Sequence, residues 1–321
     1  SGDMDMVENI LWASIAGKDI TDGSETGTSA SAVTVDSTDA DISFERSEHH
    51  ELLKLSIFFA LENTTYRLNE AQVNQCEIDF SIDGIAQLTW SGNATTIDQV
   101  STAIEDPSKT LPAKPSGSDT SVTTATYEEG YNYADSTGPD DADYLRNKLS
   151  TLTLVAAAQG GGAASGGLDA RTYDINITGG SITIANNVTY VTPETLGIID
   201  KPIGSFTGSR QITGNLTCYL DTKSNGSNQL LTDLAGATDL VTNVFDMSLF
   251  MGGASSAVPV VEFDIPKAHM TVPTIETADL ISTSVEFAAH GTDLLTGDEM
   301  TVKYKGSTTH SDSQYATDYT V

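Results

Sequence analysis

Residues Cys76–Gly92 read CEIDFSIDGIAQLTWSG and carry the clearest structural pattern in the chain. Ile78, Phe80 and Ile82 alternate with polar residues, so an extended strand here has one apolar and one polar face. The Asp-Gly pair that follows is a typical hairpin turn, and a second alternating run, 85–90, comes after it. The stretch therefore predicts two antiparallel strands that bury Ile78, Phe80 and Ile82 on one side.

A weaker copy of this unit lies 197 positions further along the chain. Residues 68–93 align without a gap on residues 265–290, and apolar positions fall on apolar positions, such as Leu88 on Val285. A repeated unit of this kind indicates one β module used twice. Chance agreement is the alternative, because patterns of period two have only two phases.

The size and composition of the chain predict a mainly β protein built from two modules. Its 321 residues suffice for two domains, and 38% hydrophobic residues with 27 glycines suit short strands and many turns. We expect tandem β-sandwich or barrel-like modules at 1–150 and 151–321, the first carrying a long loop at 107–142. Short helices are predicted at 95–105 and 228–241 from the helical spacing of their apolar residues. No apolar run approaches the length of a membrane span, so no membrane partner is expected.

Acidity is the strongest feature of the composition. Asp and Glu number 45 against 15 Lys and Arg, which gives a formal charge of −30. Tight binding of nucleic acid needs clustered cations, so a protein that grips nucleic acid is not expected. The charge is compatible with a protein that contacts DNA without binding it, because a negatively charged surface repels the duplex. Solubility or self-repulsion of the free subunit is the alternative reading of the same charge.

The sequence shows no catalytic or cofactor-binding pattern. Cys76 and Cys218 lie inside apolar strand patterns and are expected to be buried thiols of a protein assembled in a reducing cytoplasm. The spacing of Asp79 and Asp83 imitates a calcium loop, but Trp90 occupies the position that requires a bidentate Glu. Phosphate-loop, nucleophile-elbow and zinc-protease motifs are missing from the sequence. We therefore expect no enzyme, no cofactor and no metal.

Two blocks of sequence resemble a known family. They are SIDGIAQLTWSG at 81–92, and GGSITIANNVTYVTPETLG at 179–197 with KPIGSFTGSRQITGNLTCYLD at 201–221. Both resemble the major tail tube proteins of siphophages, above all the branch with two tube modules per subunit and trimeric, pseudo-hexameric rings. The resemblance implies a structural virion protein, assembled in the host bacterial cytoplasm, whose stacked rings conduct genomic DNA during ejection. It also implies the tape measure protein and the tail terminator and tip proteins as partners, and DNA that passes through the lumen without specific binding.

The same resemblance implies that a sheet lines the lumen, which makes polar strand faces candidates for the channel wall. In the first module the candidates are Glu77, Asp79 and Asp83, which share the polar side of the quoted strand. Asp174 and Glu276 are the candidates from the second module. Their expected role is electrostatic, because like charge keeps DNA off the wall over a screening length of about 8–10 Å at physiological salt.

Two alternatives belong to other functional classes. A secreted acidic β-sandwich adhesin or carbohydrate binder would need exposed aromatic side chains, and Trp12 and Trp90 are the only tryptophans. Trp90 occupies an apolar position of its strand, which argues against such a platform. A surface-layer subunit is favoured by the charge alone.

Overall fold

Most of the residues that the structure describes lie in β-strands. The computed structural model describes residues 11–12, 14–16, 20–22, 33–35, 39–44, 52–61, 64–84, 86–100, 150–159, 162–191, 202, 204–238, 244–252, 260–272, 274–277, 281–292 and 296–305. Within them the strands are β1 Ile20–Asp22, β2 Val33–Val35, β3 Asp39–Ser43, β4 Leu55–Leu61, β5 Thr64–Ser81, β6 Gln87–Asn93, β7 Thr96–Val100, β8 Thr151–Ala156, β9 Arg171–Tyr173, β10 Ile177–Ala185, β11 Thr189–Val191, β12 Gly204–Phe206, β13 Gln211–Tyr219, β14 Phe245–Met251, β15 Val260–Met270, β16 Thr274–Thr277, β17 Ile281–Ala289 and β18 Thr301–Lys305. A helix, α1, spans Ser227–Gly236, and Ala163–Ser165 form a single 3-10 turn. The mainly β fold expected from the sequence is therefore confirmed.

Sixteen of the described strands join one sheet, and β11 and β12 form a separate hairpin. Five strands in the order β6-β5-β10-β13-β17 make an antiparallel stretch that we call the central sheet, with β16 continuing it beyond β17. A second arm runs through β3, β18, β15, β14, β8 and β9. Strand β15 connects the two, because its last three residues pair with β17.

The apolar faces of both arms contribute to one hydrophobic core cluster. Its members include Ile78, Phe80, Ile182, Ile184, Leu216 and Phe287 from the central sheet, and Leu154, Met247, Leu249, Phe263, Ile265 and Val302 from the second arm. Gly180 and Gly214 allow close packing here, since an added Cβ would lie 3.0 Å from the Phe80 ring and 2.5 Å from the Phe287 ring respectively. Strands from both predicted modules share this core, and the division into modules at 150/151 stays a prediction.

The N-terminal segment is helical at the described residues 11–12 and 14–16, and it lies in the core. Trp12 and Ile15 have no exposed surface, and the Trp12 ring meets Trp90 edge-on at 4.8 Å. The side-chain amide of Asn186, also fully buried, donates a hydrogen bond to the Ile15 carbonyl at 2.9 Å. The segment is therefore held by both packing and a buried polar contact.

Helix α1 confirms one of the two predicted helices, with shorter bounds than 228–241. Leu230 and Leu234 are buried against the core because they share one face of the helix. Asp233, on the same helix, accepts a hydrogen bond from the Tyr173 hydroxyl at 2.9 Å and pairs with Arg171 at 3.2 Å. Burial and that carboxylate raise the pKa of Tyr173 far above its ordinary value.

No helix among the described residues is long and apolar enough to cross a membrane.

Two local predictions are wrong. The helix expected at 95–105 is a strand as far as it is described, because residues 96–100 form β7 and pair with the first half of β5. Ile82 is not buried with its neighbours but is 38% exposed, since β5 ends at Ser81 and the chain turns there. The loop at 107–142 lies outside the described residues.

Candidate functional site: the polar face of the central sheet

Strand β5 carries two of the predicted site residues on its exposed face. Glu77 and Asp79 point away from the core, while Ile78 and Phe80 are 1% and 2% exposed. The alternation follows from the pleat, which sends successive side chains to opposite faces of a strand. The burial of the isoleucine and phenylalanine therefore fixes the carboxylates on the solvent side, as the sequence pattern predicts.

The strands on either side of β5 extend this face with uncharged polar residues. Glu77 lies between Thr183 of β10 and Thr89 of β6, and Asp79 lies between Ser181 and Gln87 in the same registers. On the next strand, β13, the side-chain oxygen of Asn215 accepts hydrogen bonds from the Ser181 backbone and hydroxyl, both at 2.9 Å. Thr213 and Thr217 continue the polar row along β13. The result is a broad hydroxyl- and amide-rich surface.

A third carboxylate, Glu286, joins this surface from β17 and was not among the predicted residues. It is exposed and stands opposite Asn215 across the β13–β17 ladder. A signal for it exists in the sequence, because the 197-residue alignment that pairs Leu88 with Val285 also pairs Thr89 with Glu286. Strand β5 pairs with β10 over residues 75–81. With β5 counted over that range, the five strands of the central sheet hold three carboxylates and no Lys or Arg.

The other predicted residues lie at the margins. Asp83 is exposed in the turn after β5, where the Gly84 amide donates to the Ser81 carbonyl at 3.0 Å. Asp174 lies outside the sheet, just before β10, and forms an ion pair with Lys223 at 2.7 Å. That carboxylate raises the pKa of Lys223. Glu276 belongs to β16 at the sheet edge, opposite Ser282, and its side chain lies outside the described residues.

Two histidines end the polar face on the β15 side. The rings of His269 and His290 meet edge-on with centroids 5.0 Å apart, and His269 stands opposite Ala288 of β17. Burial and the neighbouring His290 hold the pKa of His269 below its ordinary value. Since that ordinary value is about 6.5, His269 is neutral at pH 7 and adds no positive charge to the face.

The chemistry available on this face is electrostatic. Among the described residues, no three His, Cys, Asp or Glu side chains come together as a set that could hold a metal ion. Cys76 and Cys218 are buried and form no disulfide, and burial raises the pKa of the Cys218 thiol to about 11. Trp12 is buried and Trp90 packs against the core, so neither supplies the exposed platform that a carbohydrate binder needs. What the face offers is a fixed negative charge among weakly interacting hydroxyl and amide groups.

A protein-family profile and a known protein each match most of this chain. A chain from the cryo-EM structure of the anti-feeding prophage baseplate aligns over 43% of this chain and 87% of its own, but its TM-score of 0.32 at 10% identity is too low to indicate a shared fold. The tail tube protein pb6 of Escherichia phage T5 is 34% identical over 266 residues, which make up 80% of this chain and 49% of that protein. The chain thus spans about half the length of this relative. The profile of the phage tail tube protein family matches residues 11–289, so the resemblance seen in the sequence is confirmed and the chain belongs to the phage tail tube protein family.

Proposed function

We propose that this chain is a structural subunit of a phage tail tube, in which copies of the chain form stacked rings around a DNA-conducting lumen. The observation that carries the proposal is the central sheet, with one face in the core and the other polar, acidic and free of Lys and Arg. Membership of the tail tube protein family supports it.

The polar face of the central sheet is the proposed lumen wall, with Glu77, Asp79 and Glu286 as its charged groups. Phosphates near these carboxylates are repelled rather than bound, because affinity for DNA requires cations that release counterions. Hydroxyl and amide groups between them offer only neutral contacts. Asp83 extends the wall at one end, whereas the ion pair with Lys223 removes most of the influence of Asp174.

The free edges of the central sheet suggest how a ring closes. Within the described chain, β6 pairs only with β5, and β16 pairs only with β17. Unpaired strand edges are templates for another chain. The strands alternate in direction from β6 to β16, so β16 of one copy and β6 of the next would meet antiparallel and continue the sheet. A heterologous contact of this kind closes into a ring when its rotation divides a full turn.

Three copies per ring, each with two tube modules, are proposed from the internal repeat. The hairpin β5–β6 gains one extra residue on its first strand between Val73 and Gln75. The later hairpin shows the same slip, because four steps from Met270 to Thr274 face three steps from Phe287 to Ser284. The 197-residue alignment places Asn74 on Thr271, within that irregular segment. Two matching hairpins support duplication, which gives six modules in a trimer.

Assembly in the host cytoplasm, with a tape measure protein inside the tube and terminator and tip proteins at its ends, completes the proposal. Electron microscopy of virions or of the concentrated protein tests it, with averaging of the rings to count chains. We expect stacked rings with three chains and six quasi-equivalent modules. Monomers under every condition would refute the tube, and six chains per ring would refute the trimer.

A further inference from the structure

The exposed apolar side chains are not scattered over the molecule. Among the described residues, the large exposed ones are Ile57, Ile82, Ile97, Phe206, Tyr219 and Val272. All except Val272 lie at the two ends of the strands of the central sheet. A soluble protein exposes single apolar residues routinely, but clustered ones mark an interaction surface.

At one end, apolar residues form a row across a three-stranded ribbon. The first half of β5 extends beyond the central sheet and pairs with β4 on one side and β7 on the other. In these registers Ile57 stands beside Leu68, and Leu68 stands beside Ile97. The β11–β12 hairpin flanks the base of the ribbon, where Tyr190 donates to the Asn93 carbonyl at 2.7 Å.

That hairpin presents Phe206, which is 69% exposed. We call Ile57, Leu68, Ile97 and Phe206 the apolar rim. The ribbon makes little contact with the core where its side chains are described. Of its described side chains, only Leu55 at its base packs against the hydrophobic core cluster.

A ribbon of this kind needs a partner. Strand β4 reads LSIFFAL, a continuous apolar run of the type found in strands covered on both faces. Small isolated sheets are marginally stable in water, and their edges invite association. The sequence and the exposure of the ribbon therefore agree that a further surface covers it.

Charge identifies a second copy of this chain as the partner. The four charged residues described in the ribbon cancel in pairs, with Lys54 and Glu70 at 3.9 Å and Arg67 and Asp98 at 3.2 Å. In a chain of net charge −30, the described part of the ribbon has no net charge and is where two copies approach with least repulsion.

The opposite end of the central sheet supplies a matching surface. Ile82, 38% exposed, donates its amide to the Thr178 carbonyl at 2.9 Å, and Tyr219, 43% exposed, ends β13 at the same level of the sheet. We call Ile82 and Tyr219 the distal end. Asp83, Asp221 and the Asp174–Lys223 ion pair surround it, which leaves two net negative charges on described residues to face the ribbon.

We propose that the apolar rim of one copy docks on the distal end of a second copy, so that successive rings join end to end through this contact. The inference rests on the proposed function and adds to it the surfaces that set the polarity of the tube. Because the two surfaces differ, each copy can both give and receive the contact, and growth along the axis is open-ended.

Serine substitution in the apolar rim tests this directly. Ile97→Ser replaces a side chain that is 58% exposed in the subunit, so the fold should persist, as a thermal melt would verify. We expect rings to form but the protein concentration needed for tube growth to rise about tenfold or more, measured by light scattering and electron microscopy. Ile97→Val is the matched control, because it keeps an apolar side chain at the same position, and it should assemble like the unmodified chain.

Cross-linking tests the pairing of the two ends. Tubes of the Ile97→Cys, Ile82→Cys double variant are treated with a short bifunctional maleimide, to which buried Cys76 and Cys218 stay unreactive. We expect a ladder of two, three, four and more linked chains, and no ladder from Ile82→Cys alone.

Three outcomes separate the claims. Dimers from Ile97→Cys alone would show a rim-to-rim contact and overturn the proposal. Normal tube growth by Ile97→Ser, with no ladder from the double variant, would also overturn it while leaving the tube function intact. Failure of the unmodified chain to form rings or tubes would overturn the proposed function itself.

Discussion

Replacing Asp79 with lysine should turn part of the proposed lumen wall from repelling DNA to retaining it. The central sheet carries three carboxylates and no Lys or Arg on its polar face, so Asp79→Lys changes that face from −3 to −1 per chain. Asp79 is exposed between Ser181 and Gln87, and a lysine there can reach solvent without disturbing the core. We therefore expect assembly to survive and DNA passage to slow.

The size of the effect follows from Coulomb's law. A unit charge about 10 Å from a phosphate contributes roughly 0.4 kcal/mol in water, so a change of sign alters the energy by about 0.8 kcal/mol per chain and about 2.5 kcal/mol per ring of three. Screening reduces this to about 0.7 kcal/mol per ring at physiological salt but only to about 1.8 kcal/mol at ~0.01 M. DNA passes many rings, so the effects accumulate and should be strongest at low salt.

The assay is the rate of DNA release from particles that carry the variant, followed with a DNA-binding dye at two salt concentrations. Asp79→Asn is the charge control and should release DNA close to the normal rate, because it adds no cation. Asp246→Lys is the position control, since Asp246 is exposed on β14 of the second arm. Normal release by assembled Asp79→Lys at low salt, or equal slowing by Asp246→Lys, would refute the assignment of this face to the lumen.

Three further predictions concern the folded subunit. Asn186→Ala should lower the free energy of unfolding by about 1–3 kcal/mol, because the buried Ile15 carbonyl loses its amide donor, and chemical denaturation would measure it. Leu234→Ala should cost about 2–5 kcal/mol in the same assay, since this helix side chain is 1% exposed and its removal leaves a cavity. His269 should make the fold less stable as pH falls below about 6.5. Its folded-state pKa is depressed by burial and His290, so in that window the unfolded chain binds more protons, and the stability is fully present only above it. Thermal melts across this range should show a shallower loss for His269→Gln, and an unchanged profile would contradict the assignment.

The pattern of residues along the chain was enough to place Glu77 and Asp79 on a polar face opposite Ile78 and Phe80. Period-two alternation is a local property, because the pleat assigns each side chain to a face whatever the neighbouring strand is. The turn after Ser81 was predictable for the same reason, since Asp-Gly favours a hairpin by its own backbone geometry. The family resemblance likewise depended on local blocks of sequence.

Only the tertiary structure decided which strands stand beside β5. Its partner β10 comes from a hundred residues later in the chain, and this pairing, with β13 and β17 beyond it, brings Glu286 onto the same face as Glu77. The alternation within a strand assigns its side chains to faces, but it does not show which distant strand will pair with it. The same cause explains residues 96–100. Their apolar residues have helical spacing, but they form a strand because the edge of β5 offers them a pairing partner, and strand preference depends on such neighbours. The tertiary structure also decided the exposure of Ile82, since side chains of this strand are buried only as far as other strands cover them.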